Sequence, residues 1–136
     1  MKVTSSSIHT MLRSLSQSKI QRFPAAHCRV NCECSCASDE DRLDASGSCE
    51  NEQVQIWNVN NGERFNTYAI RAACGSRIIS VNGLAARRAS IGNLVDIAAF
   101  AQLNVTAVKD HLPQLVFETA DHLIAAQRQT MLVQQL

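Results

Sequence analysis

A chain of 136 residues, 46% of them hydrophobic, is long enough to bury the core of one domain. The 13 Lys and Arg nearly balance the 12 Asp and Glu, so the composition does not predict a nucleic-acid-binding surface. No apolar run approaches the roughly 20 residues that a membrane span needs, and the first residues lack the apolar segment of a secretion signal. We therefore expect a cytoplasmic protein with no membrane partner.

Short strands separated by turns are predicted after an N-terminal extension at residues 1–10. Residues 11–36 favour one or two strands. Ser38 and Asp41 then resemble a capping box that begins a short helix, and Gly47 is placed to end it. This first part of the chain indicates strands followed by one helix.

Alternating side chains continue the strand pattern in the middle of the chain. Residues 54–59 read as a strand buried on both faces, Asn61-Gly62 as a hairpin turn, and residues 65–70 as the return strand. A strand at "RIISV", a turn at Asn82-Gly83, a helical "LAARRAS" and a strand at "NLVDIAAF" follow. Strands with turns about every ten residues predict a small, closed, mostly β barrel with short helices.

The barrel domain is expected to cover residues 11–119. Residues 120–136 are polar and helix-permissive, and we expect them to form a peripheral or partly disordered tail.

Three of the six cysteines alternate in "CECSC", at Cys32, Cys34 and Cys36, with Cys28 just before them. A disulfide scaffold has little support without a secretion signal. A zinc site usually needs a second pair of ligands, and alternate strand residues point to one face, so no metal is predicted. Half-buried strand residues are the favoured interpretation, and a thiol or metal module at Cys28 to Cys36 is a distant alternative.

Three segments carry a family resemblance: "SCASDEDRLD", "ENEQVQIWNVNNGERFNTYAI" and "GSRIISVNGLAARRASIGNLVDIAAF". From about Arg13 to Phe117 the chain resembles the pyruvoyl-dependent aspartate 1-decarboxylases of bacteria. The resemblance implies a six-stranded double-psi β-barrel, assembled as a homotetramer with active sites between subunits. It also implies decarboxylation of L-aspartate to β-alanine and CO₂, which supplies pantothenate and coenzyme A synthesis.

The same resemblance makes Ser35 the centre of the cysteine-rich stretch. It implies self-cleavage between Cys34 and Ser35, in which the serine hydroxyl attacks the preceding carbonyl and becomes a pyruvoyl group at the new N-terminus. Chemistry independently requires such a carbonyl, because loss of CO₂ from an amino acid leaves an electron pair on the α-carbon. A Schiff base between the substrate amine and a ketone absorbs that electron pair.

Further roles follow from the resemblance. Tyr68 is expected to return a proton to the α-carbon as a general acid. Arg64 would hold a substrate carboxylate in a bidentate contact, and Lys19 would supply a second cation. The remaining predicted substrate contacts are Thr67, Asn82, Gly83, Leu84 and Ala85. Trp57 matches a tryptophan beside the family site, although packing would explain it equally well.

Several positions depart from the family pattern. Cys34 replaces a glycine before the cleaved serine, and its β-carbon is expected to slow the strained acyl shift. Cys32 and Gln21 replace a tyrosine and a histidine, and Leu84 replaces an alanine, which should favour aspartate over the longer glutamate. Because the tail diverges from the family, a requirement for an acetyltransferase-like maturation factor is left open. The alternative function is that of an unprocessed, catalytically inactive barrel with a structural or partner-binding role.

Overall fold

The computed structural model describes residues 11–29, 36–72, 79–119 and 123–129. Their nine strands are β1 (Leu12–Pro24), β2 (His27–Arg29), β3 (Cys36–Asp39), β4 (Gln53–Asn58), β5 (Arg64–Ala72), β6 (Ile79–Asn82), β7 (Leu94–Asn104), β8 (Gln114–Glu118) and β9 (Ile124–Arg128). The helical segments are α1 (Glu40–Ser46), a 3₁₀ helix (Gly83–Arg87) and α2 (Val105–Val108).

All nine strands belong to one curled sheet in the order β2-β6-β3-β5-β4-β7-β1-β8-β9. Three parallel pairings, β1 with β8, β2 with β6 and β3 with β5, join segments far apart in the chain. The antiparallel pairings join β1 to β7, β3 to β6, β4 to both β5 and β7, and β8 to β9. The prediction of a small, mostly β barrel with short helices is confirmed.

One face of the sheet carries the hydrophobic core because side chains alternate along each strand. On β4, for example, Val54 and Ile56 are buried whereas Gln53 is exposed. Neighbouring strands add buried side chains to the same interior, among them Ile20, Phe23, Val95, Ile97 and Val116. The opposite face of β5, β4, β7 and β1 we call the outer face.

The predicted hairpin at Asn61-Gly62 is confirmed, with a loop of five residues between Asn58 and Arg64. The Asn58 side chain organises this loop, since its Oδ1 accepts a hydrogen bond from the Asn60 amide at 2.9 Å. Gly62 has φ = 76°, a left-handed conformation in which glycine avoids the strain of a β-carbon. The loop aligns Trp57 opposite Arg64 on the paired strands.

The predicted capping box at Ser38 is wrong. Ser38 lies inside β3, and its buried Oγ forms no hydrogen bond with any described group. Pairing of β3 with two neighbouring strands keeps this residue extended, so α1 begins only at Glu40. The predicted end of the helix is correct, because Gly47 follows Ser46 with φ = 69°.

The tail differs from the helix-permissive segment that we expected. Ile124–Arg128 form β9, which pairs antiparallel with β8 at the end of the sheet. The Arg128 guanidinium lies 4.6 Å from the centre of the Phe117 ring, a cation–π contact between the two strands. Within the described part of the chain, no helix has the length and apolar character required to cross a membrane.

Candidate active site

The first described residue after the predicted cleavage site lies between two strands that carry predicted site residues. Cys34 and Ser35 themselves lie outside the described residues. Cys36, the next residue, pairs with Ala69 on β5 and with Val81 on β6. Because Tyr68 precedes Ala69 and Asn82 follows Val81, the register brings these predicted residues to the start of β3.

Strand β5 presents its predicted residues on opposite faces. Thr67 pairs with the buried Val54 and faces the interior, whereas Tyr68 pairs with the exposed Gln53 and lies on the outer face. Both side chains are half-buried. Among the described groups, none forms a hydrogen bond with the Tyr68 hydroxyl, which leaves this O–H available as a donor.

The predicted substrate turn lies where β6 ends and the 3₁₀ helix begins. Gly83 has φ = 65°, where a β-carbon would be disfavoured. Asn82 is only 8% exposed, and its Oδ1 accepts a hydrogen bond from the Ser80 hydroxyl at 2.6 Å. Ala85 is also buried. Leu84 lies in the 3₁₀ helix, and its side chain is outside the described part of the structure.

The two predicted cations meet on Trp57. The Lys19 ammonium lies 5.1 Å and the Arg64 guanidinium 4.7 Å from the centre of the indole ring. Trp57 pairs with Arg64 on β5, and its Nε1–H donates to Gln55 Oε1 at 3.1 Å. Two residues far apart in the chain therefore share one aromatic platform on the outer face.

Asp96 belongs to the same group, although it is not among the residues predicted from the sequence. It pairs with Trp57 from β7, and its Oδ2 lies 3.2 Å from Lys19 Nζ. A single acidic residue inside the otherwise apolar "LVDIAAF" is the signal that could have identified it. We call Lys19, Trp57, Arg64 and Asp96 the tryptophan cluster.

Two clefts open on the outer face beside these residues. A cleft of about 230 Å³ is lined by Trp57, Arg64 and Asp96 together with residues of the hairpin loop. A second cleft, of about 350 Å³, lies over Gln53, Gln55, Ala98 and Phe100. Small polar ligands therefore have access to the side of the sheet that carries Tyr68 and both predicted cations.

The described cysteines have different environments. Cys28 and Cys36 both pair with Val81, so strand β6 lies between them. Burial raises the pKa of the Cys36 thiol to about 12 and also raises the pKa of Cys28. These thiols are protonated at neutral pH, and the described residues contain no group of three His, Cys, Asp or Glu side chains arranged to hold a metal. Cys32, Cys34 and Cys74 lie outside the described residues.

Comparison with known proteins identifies the family. The aspartate decarboxylase family profile matches residues 11–125. This chain belongs to the aspartate decarboxylase family. Aspartate 1-decarboxylase 1 of Polaromonas sp. strain JS666 is 60% identical over 124 residues, covering 91% of this chain and 98% of the relative. The family resemblance inferred from the sequence is therefore confirmed.

Other relatives extend the comparison. Aspartate 1-decarboxylase of Leptothrix cholodnii is 59% identical over 107 residues, covering 79% of this chain and 82% of the relative. Aspartate 1-decarboxylase of Burkholderia mallei is 51% identical over 119 residues, covering 87% of this chain and 93% of the relative. The range matched by the family profile, residues 11–125, contains the predicted cleavage site, the tryptophan cluster and the substrate turn.

Proposed function

We propose that this protein decarboxylates L-aspartate to β-alanine and CO₂ in the cytoplasm, using a pyruvoyl group derived from Ser35, and so supplies pantothenate synthesis. The observation that carries the proposal is the position of Cys36 between β5 and β6, beside Tyr68 and Asn82. Family membership and relatives named aspartate 1-decarboxylase support the same reaction.

The start of β3 suits an anchored N-terminal group. Cys36 is 1% exposed and is held in strand pairing on both sides, so a group formed at residue 35 would be attached to a rigid element. Maturation would form an ester between Ser35 and the Cys34 carbonyl as the peptide bond breaks. Elimination would then release Cys34 as a new C-terminus and leave a dehydroalanine at position 35, which water would hydrolyse to the pyruvoyl group with release of ammonia. When present, the pyruvoyl ketone supplies an acceptor for the electron pair left by CO₂.

Four side chains would position the substrate and its proton. Arg64, with an exposed guanidinium beside the 230 Å³ cleft, would bind a carboxylate. Lys19 adds a second cation above the same indole ring. Tyr68 would donate its hydroxyl proton to the α-carbon after CO₂ leaves. Thr67 would contact the substrate from the interior face of β5.

The substrate turn would close the other side of the site. Asn82, Gly83, Leu84 and Ala85 are the predicted contacts, and the positive φ of Gly83 allows the backbone to approach a ligand closely. The hydrogen bond from Ser80 holds the Asn82 amide in one orientation. We expect the side chain of Leu84 to favour aspartate over glutamate.

The proposed assembly is a homotetramer with active sites between subunits. Within one chain, Thr67 faces the interior whereas Lys19, Arg64 and Tyr68 lie on the outer face. A neighbouring subunit on this face would enclose the tryptophan cluster and cover Phe100, which is 45% exposed. An acetyltransferase-like maturation factor remains part of the proposal, since Cys34 is expected to slow unassisted cleavage.

Mass spectrometry and product analysis test the function together. Denatured, aged protein should contain one chain that ends at Cys34 and another that begins with a carbonyl-reactive group at position 35. Incubation with L-aspartate should yield β-alanine without added pyridoxal phosphate. Cys34→Gly should speed cleavage, and Ser35→Ala should abolish it.

The alternative function predicts different results in the same experiment. An inactive barrel paralogue would remain a single 14.9 kDa chain in wild type and Cys34→Gly alike, even with a maturation factor supplied. Cleaved protein that forms no β-alanine would also refute the proposed reaction.

A further inference from the structure

The Asp96 carboxylate is held by two groups of strand β1. One carboxylate oxygen lies 3.2 Å from Lys19 Nζ, and the other accepts a hydrogen bond from the Arg22 amide at 2.8 Å. Arg22 has φ = 57° within an irregular part of β1, between Ile20 and Phe23. Asp96 lies opposite this irregularity, so a backbone amide orients its carboxylate towards Lys19.

The Lys19–Asp96 ion pair is largely shielded from water. The side chains are 20% and 14% exposed, and the indole ring of Trp57 lies beside the ammonium. Such a pair is less screened than one at the surface, so its two charges largely cancel for an approaching anion. Lys19 is therefore already occupied before any substrate carboxylate arrives.

The other charged side chains that line the 230 Å³ cleft, Glu63 and Arg64, have partners different from that of Asp96. Glu63, the second carboxylate that lines the cleft, forms an ion pair with Arg88 at 2.9 Å. Arg64 contacts the indole ring but no carboxylate among the described residues. Arg64 is thus the cation of the cleft that has no competing acidic partner in the described part of the chain.

We propose that Asp96 is a specificity-determining residue that competes with the substrate carboxylate for Lys19. Arg64 then provides the main attraction for an anionic substrate, and Lys19 contributes only to the extent that its contact with Asp96 is broken. The inference rests on the proposed function for the assignment of Lys19 and Arg64 to substrate recognition. The Asp96 carboxylate then lowers the affinity of the protein for dicarboxylates.

Removal of the Asp96 charge should strengthen dicarboxylate binding. Asp96→Asn keeps an oxygen that can accept a hydrogen bond from the Arg22 amide. It removes the negative charge that pairs with Lys19. The dissociation constant of succinate, measured by titration calorimetry on the full-length protein, should fall by roughly fivefold, the scale of one partly screened charge. Succinamide, which has the same shape without charge, should show no gain.

A double variant separates competition for Lys19 from a general change of the cleft. Lys19→Met combined with Asp96→Asn should bind succinate no more tightly than wild type, because the released cation is gone. Glu40→Gln is a matched control, since it removes a carboxylate from an exposed ion pair with Arg71 outside the cluster. This control should bind succinate as wild type does.

Three results would overturn the proposal: unchanged or weaker succinate binding by Asp96→Asn, a gain that persists in the double variant, or an equal gain for succinamide. Asp96→Ser removes the same charge with a smaller side chain and serves if Asp96→Asn does not fold. Loss of the fold in both variants would assign the carboxylate to stability and would also count against the proposal.

The binding test is independent of turnover. Succinate has no amine and undergoes no decarboxylation, so a protein that forms no β-alanine would refute the proposed function while its titration still reports the competition. In active protein, the KM for aspartate should fall in Asp96→Asn by a larger factor than any change in kcat. A change confined to kcat would contradict a role in substrate recognition.

Discussion

The buried ion pair between Arg42 and Glu118 makes the stability of this fold sensitive to a single substitution. Both side chains are 2% exposed, and Arg42 Nε donates to Glu118 Oε1 at 2.6 Å. The guanidinium also lies 4.8 Å from the centre of the Phe23 ring. These contacts connect α1 with β8 and β1, so Arg42→Met should weaken the packing of three elements at once.

The expected loss follows from burial of the remaining charge. Arg42→Met leaves the Glu118 carboxylate in the interior without this cation, which typically costs about 3–5 kcal/mol. For a chain of 136 residues, that loss corresponds to a fall in Tm of about 10–15 °C. Native domains are stable by only about 5–15 kcal/mol, so the variant should retain a fold but with a much smaller margin.

Thermal unfolding followed by circular dichroism, at one fixed protein concentration, measures this effect. Arg71→Met is the matched control, because Arg71 pairs with Glu40 at 2.7 Å while both side chains are exposed. That control should lose less than about 1 kcal/mol. Arg42→Met combined with Glu118→Met should regain most of the lost stability. Equal Tm values for Arg42→Met and Arg71→Met would refute the reasoning.

Three further predictions concern the reaction, the cleaved chain and alkaline stability. Tyr68→Phe should reduce turnover by roughly 100-fold or more, while borohydride with aspartate still attaches substrate to the protein; normal turnover would place the proton donor elsewhere. After cleavage, residues 1–34 should remain bound under native mass spectrometry, because β1 lies between β7 and β8; release of the short chain would contradict this. The free energy of unfolding should fall above about pH 9, since burial raises the pKa of Cys36 from 9.0 to about 12 and the unfolded thiol loses its proton first. Urea unfolding at about pH 8 and about pH 10 should show a smaller fall in Cys36→Ala than in wild type; equal falls would exclude this thiol as a cause.

Local sequence patterns were sufficient to predict a strand and a hairpin turn near the site. Alternation at Val54 and Ile56 predicted a strand, and Asn61-Gly62 predicted the hairpin that places Trp57 opposite Arg64. Both signals depend on neighbours in the chain: a strand has a period of two residues, and glycine tolerates positive φ. The run of motifs also identified the family, although it did not show how the predicted residues are arranged.

At Ser38 and in the tail, pairing with distant segments overrode local preference. Ser38 has the chemistry of a helix cap, yet pairing of β3 with β5 and β6 keeps it in a strand. Ile124–Arg128 lie in a polar, helix-permissive tail, and β8 offers them an unpaired strand edge. Strand pairing satisfies several backbone hydrogen bonds together, which outweighs the small energies of local propensity.

The sequence by itself determined the family and the mostly β class, and it singled out Lys19 and Arg64 but not Asp96. Only the tertiary structure decided that Lys19 meets Asp96 and that Arg42 meets Glu118. Each of these pairs joins segments separated by most of the chain. Such contacts depend on the parallel pairing of β1 with β8 and the antiparallel pairing of β1 with β7, which close long loops and leave no local periodicity in the sequence.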